Sequence, residues 1–80
     1  MLHFTISNKK YFYSEDSKFL IQLAHGKKSS YKTQLTITGN LSTAIKVYDS
    51  IKLGKDWKKR LVLDNDILYR DVFVNKNLKV

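Results

Sequence analysis

Apolar residues recur at every second position over most of this chain, which predicts strands with one face buried. Residues 1–6 alternate Leu2, Phe4 and Ile6 with His3 and Thr5. Phe19, Ile21 and Leu23 alternate with Leu20, Gln22 and Ala24, and after the turn-forming run His25-Gly26-Lys27-Lys28-Ser29-Ser30 a second alternation sets Tyr31, Thr33, Leu35 and Ile37 against Lys32, Gln34, Thr36 and Thr38. These two segments predict a hairpin with a basic tip. Further on, Trp57, Lys59, Leu61 and Leu63 separate from Lys58, Arg60 and Val62, then Ile67, Tyr69, Asp71 and Phe73 from Leu68, Arg70, Val72 and Val74. Asp64-Asn65-Asp66 joins the last two as another hairpin. Between the first two alternations, residues 7–18 lose the period. Lys9-Lys10, the triplet Tyr11-Phe12-Tyr13 and the polar run Ser14 to Ser17 predict either a loop with an aromatic anchor or a short extra strand.

One stretch keeps helical time instead. Leu41, Ala44, Ile45, Tyr48 and Ile51 fall at spacings of three and four, leaving Lys46, Asp49 and Lys52 outside the stripe. Asn40 is the expected N-cap. Gly54 is expected to end the helix in the left-handed conformation, with Lys52 as the cation at the negative end of the macrodipole. The order strand, strand, strand, helix, strand, strand (β-β-β-α-β-β) gives an α+β fold: a single two-layer domain over residues 1–80, with one helix packed across an antiparallel sheet of four or five strands. Residues 75–80 read as a frayed C-terminal tail.

Charge changes this picture more than size does. Eighty residues allow one modest core. Fifteen Lys and Arg against seven Asp and Glu give a formal +8, while 42% hydrophobic residues are too many for disorder. The absence of cysteine removes disulfides, thiol chemistry and thiolate zinc sites, and agrees with a cytoplasmic setting. The N-terminus does not read as a signal peptide, since its basic residues follow the apolar positions. Apolar runs of three residues are far too short to cross a bilayer, and the helix lysines form no dense amphipathic sequence of the kind that lies on a membrane, so no membrane partner is expected.

Catalysis is not motivated, and neither a metal nor another cofactor is expected. His3 and His25 stand in no His, Asp and Glu cluster with ligand spacing, and both read as ordinary surface residues. Asp64, Asp66 and Asp71 read as a solvated turn and strand before they read as a cation site. The serines lack a His and acid arrangement, and three isolated glycines make no phosphate loop.

The basic residues carry the candidate site. Lys52, Lys55, Lys58, Lys59 and Arg60 surround Trp57 within nine residues, a grouping that suits phosphate contacts, with the indole either stacking on an unpaired base or, as expected first, filling the core. Lys9 and Lys10 with Tyr11 form a second patch, and Lys27, Lys28 and Lys32 beside Tyr31 a third. The expected function is non-catalytic nucleic-acid binding through a basic surface with aromatic contacts.

The alternative is a small module that docks on and inhibits a larger protein or nucleoprotein machine, with lysines steering the encounter and aromatics as anchors. In size and helix-over-sheet layout the chain resembles small phage and mobile-element proteins, anti-CRISPR proteins among them. That resemblance covers layout alone, assigns no residue and implies only an inhibitor of this kind. Homodimerisation through an exposed sheet edge is a further expectation.

Overall fold

The computed structural model describes residues 2–6, 8–26, 28–64 and 66–68, and the backbone of 72–74. Expectations for Met1, Ser7, Lys27, Asn65, Tyr69, Arg70, Asp71 and the 75–80 tail lie outside the described residues.

The chain forms β1 (Leu2–Ile6), β2 (Lys9–Tyr13), β3 (Lys18–His25), β4 (Lys32–Thr38), α1 (Leu41–Ser50), β5 (Trp57–Leu63), β6 (Asp66–Ile67) and β7 (Val72–Val74). The α+β class and the single helix over an antiparallel sheet are as expected, but there is one strand more before the helix. The triplet Tyr11-Phe12-Tyr13 is part of β2, which pairs with β1 from Leu2–Tyr13 to Ile6–Lys9 as a separate two-stranded sheet. Aromatic side chains favour a pleated, half-buried surface, and here Phe4 receives both tyrosines on one face, with ring centroids 5.3 Å from Tyr11 and 5.4 Å from Tyr13. Asn8 turns the chain in the left-handed region (φ 68°), which its short polar side chain tolerates.

The larger sheet runs β4-β3-β5, and β6 and β7 both pair along the far edge of β5. The predicted final strand is therefore two pieces. β3 lies centrally, paired with β5 from Phe19–Leu63 to His25–Trp57. β4 is outermost, bonded on one side only among the described residues.

Phe19, Ile21, Leu61 and Leu63 point from the sheet toward the helix residues Ala44 and Tyr48, with Leu41, Ile45 and Ile51 packed at the margin. The two-stranded sheet joins this core through Tyr13, whose ring meets Phe19 edge-on at 5.7 Å, and through Tyr11, whose hydroxyl donates to the Ile67 carbonyl at 3.2 Å.

The helix starts where the sequence places it: the Asn40 carboxamide oxygen accepts from the Thr43 N–H at 3.0 Å. Its end differs from expectation. The last helical residue is Ser50, Ile51 is already extended, and Gly54 is not among the glycines with positive φ. The cation at the negative end is Lys59 of β5, not Lys52. Lys59 Nζ donates to the carbonyls of Tyr48 at 2.6 Å and Ile51 at 3.2 Å, and lies 4.3 Å from the Tyr48 ring centroid.

One register feature reorders β4. Leu35 pairs with Ile21 and Thr33 with Gln22, so Gln34 is an extra residue in β4 and the alternation reverses beyond it. Leu35 and Ile37 face the helix side as expected. Tyr31 and Thr33, expected on that same side, lie on the opposite, outer face. Lys32 moves the other way, onto the face that carries Leu23.

Candidate functional site

The bulge and the β3–β5 register together build an aromatic and basic end to the sheet. His25 pairs with Trp57 at the last position of the ladder. There the two rings meet edge to face, with centroids 4.9 Å apart and planes at 61°. Beyond the ladder, Gly26 turns at φ 84°, a conformation glycine adopts freely, and its N–H donates to the Asp56 carbonyl at 2.6 Å. That bond holds the β3–β4 connection against the turn that opens β5.

Trp57 is 38% exposed, and the segment that follows α1 lies along one side of it. It forms the common wall of two grooves. The larger, about 410 Å³, is lined on the β3–β4 side by Leu23, His25, Ser29, Ser30 and Lys32. The smaller, about 220 Å³, is lined by Leu23, Ile51, Lys52, Leu53 and Gly54. An apolar wall of indole and leucine with ammonium groups at its edges suits a flat ring attached to an anion. Lys28 in the β3–β4 connection and Lys55 in the turn before Trp57 are both exposed.

The outer face of the same strands carries a second ordered group. Arg60 Cζ lies 4.1 Å from the Tyr31 ring centroid, and Lys58 Nζ lies 5.0 Å from that centroid. Arg60 Nε donates to Gln22 Oε1 at 2.7 Å, and Gln22 Nε2 donates to Thr33 Oγ1 at 3.0 Å. One chain of contacts thus crosses β4, β3 and β5.

The structure divides the Trp57 cluster. Lys52 stays with the indole, joined by Lys32 from the start of β4, while Lys55 and Lys28 are exposed and line neither groove. Lys58 and Arg60 turn to the outer face, as strand alternation requires. Lys59 is 8% exposed and committed to the helix end. Burial pushes its pKa below the usual lysine range, and the nearby Asp49 carboxylate partly opposes that shift.

The patch at Lys9, Lys10 and Tyr11 stands apart. Lys9 Nζ lies 3.8 Å from Asp66 and 4.9 Å from the Tyr11 ring centroid. Asp66 pairs with Leu63, at the end of β5 opposite Trp57. Tyr11 is a core residue, and the exposed aromatic of β2 is its neighbour Phe12, beside His3. His25, read from sequence as a plain turn residue, is the indole's partner. Its signal was its place at the end of an alternation, where a ladder can still align it with Trp57. Tyr31 belongs to the third patch in sequence, but the bulge turns it to the outer face; Gln22 was missed because its partner Arg60 lies opposite it on β5, 38 residues further along the chain.

Comparison with known protein families, curated proteins and solved structures finds no match to this chain.

Proposed function

We propose that this protein binds single-stranded nucleic acid without catalysing a reaction, holding a base against Trp57 and the adjoining phosphates with Lys32, Lys52, Lys28 and Lys55. The observation that carries the reading is the half-exposed indole walling two grooves, with a lysine in the lining of each. Bases stack on aromatic faces with little regard to sequence, and lysines track the backbone as point charges. The +8 net charge supplies the long-range attraction. A cytoplasmic setting belongs to this proposal, supported by the lack of cysteine. Among the described residues no helix is long and apolar enough to cross a membrane.

Trp57 is the sole tryptophan, so stacking is readable by its own fluorescence. Titration with a thymidine oligonucleotide at low salt is expected to quench and shift the emission. With three or four phosphates engaged, log K should fall against log salt with a slope of about −2 to −3. Trp57→Leu should weaken binding by about 1–3 kcal/mol while leaving that slope in place. Absence of binding at low salt, or binding that leaves the indole emission unchanged, overturns the proposal.

One observation favours the alternative, docking on a larger protein or nucleoprotein machine: Phe12 is 57% exposed, far from the groove, with His3 beside it. Exposed aromatics are frequent interface anchors. Capture of a defined protein from nuclease-treated lysate, lost on Phe12→Ser, is the result expected of that reading.

A further inference from the structure

We infer that the Arg60 guanidinium on the outer face is a second phosphate site, reached by a strand that leaves the Trp57 groove and crosses the β3–β4 connection. The inference rests on the nucleic-acid reading and extends it from one face of the sheet to both.

The β3–β4 connection is the rim between the two faces. Ser29, Ser30 and Lys32 line the groove, whereas the side chain of Tyr31, between them in sequence, packs on Arg60 across the outer face. A chain running over the two serines therefore meets the Tyr31 and Arg60 pair next.

Arg60 is held as a phosphate receptor needs to be. Its Cζ lies 4.1 Å from the Tyr31 ring centroid and its Nε is committed to Gln22 at 2.7 Å. Gln22 is in turn fixed by Thr33 at 3.0 Å. With Nε engaged, the two terminal nitrogens are left as a fork, the geometry that pairs with two oxygens of one phosphate. Because its rotamer is already fixed, little side-chain freedom remains to be lost on binding. Lys58, near the same ring, adds positive potential without replacing the fork.

The test compares two lengths of the same thymidine oligonucleotide, about 4 and about 16 nucleotides, to separate groove-only from extended binding. Arg60→Lys keeps the charge and removes the fork. It is expected to weaken the long oligonucleotide about fivefold and leave the short one unchanged. Gln22→Met, which frees the guanidinium, should weaken the long oligonucleotide alone by about twofold. Circular dichroism and thermal unfolding of both variants establish that they are folded. Wild-type affinity of Arg60→Lys for both lengths overturns the second site, as does an equal loss at both lengths. If the wild-type protein binds neither oligonucleotide, the nucleic-acid reading itself falls and this inference with it.

Discussion

Lys59 shows how one residue is misassigned by its neighbours in sequence and corrected by its neighbours in space. Among Lys55, Lys58 and Arg60 it looks like one more phosphate contact. Its alternation with Trp57, Leu61 and Leu63 puts it on the apolar face, and a lone lysine there must find acceptors or stay uncharged. It finds the carbonyls of Tyr48, in the last turn of α1, and of Ile51, just beyond it. Lys59→Met keeps the stem and removes those hydrogen bonds, leaving the helix end short of donors. The expected loss is about 1–2 kcal/mol in urea unfolding, with groove binding retained by the folded fraction. Stability should also respond to pH. Burial lowers the folded pKa below the ordinary 10.5, so between those two values the unfolded chain binds more protons than the folded one. The contribution of Lys59 to stability therefore rises as pH climbs through that window and levels off above 10.5. Unfolding curves of wild type and Lys59→Met at increasing alkaline pH should show the wild type gaining relative to the variant.

At the scale of elements, what was legible depended on whether its cause was local. The start of α1 was legible because Asn40 and the apolar stripe lie within a few residues of each other. Asn40→Ala should remove about 1 kcal/mol, read as a lower urea midpoint with an unchanged slope. The faces of β3 and β5 were legible because their alternation is unbroken. The helix end was not, because its cap is supplied by a strand that begins seven residues after Ser50, at Trp57. Nor was the bulge, since inserting Gln34 into β4 changes the pairing with β3 but leaves no mark in composition, neither glycine nor proline. That single residue decides where Tyr31, Lys32 and Thr33 point. The separate β1–β2 sheet was half legible: the aromatic triplet suggested a strand, but its partner was settled by ring contacts with Phe4.

On the scale of the whole molecule, net charge was plain from the sequence and its distribution was not. Lys9 and Trp57 lie toward opposite ends of β5, whose seven residues span roughly 20 Å at about 3.3 Å each, more than two screening lengths of about 8 Å in physiological salt. Lys32→Glu should therefore reduce oligonucleotide affinity about tenfold or more, and Lys9→Glu by less than about threefold, measured side by side at physiological ionic strength. Positive charge has a further role at the open side of the larger sheet. Among the described residues β4 has no strand on its outer side and offers those backbone groups to an extended chain, with Leu35 exposed among threonines and Lys32 at its start. Copies carrying +8 repel one another in dilute buffer, and that repulsion guards the edge as much as the bulge at Gln34 does. Added salt that would loosen a polyanion from the lysines would also let bare copies approach, so on the proposed reading solubility and affinity answer to the same ionic atmosphere. A bound polyanion would neutralise the charge that keeps copies dispersed, and loaded molecules would then meet along one strand with the β4 edge no longer guarded by repulsion.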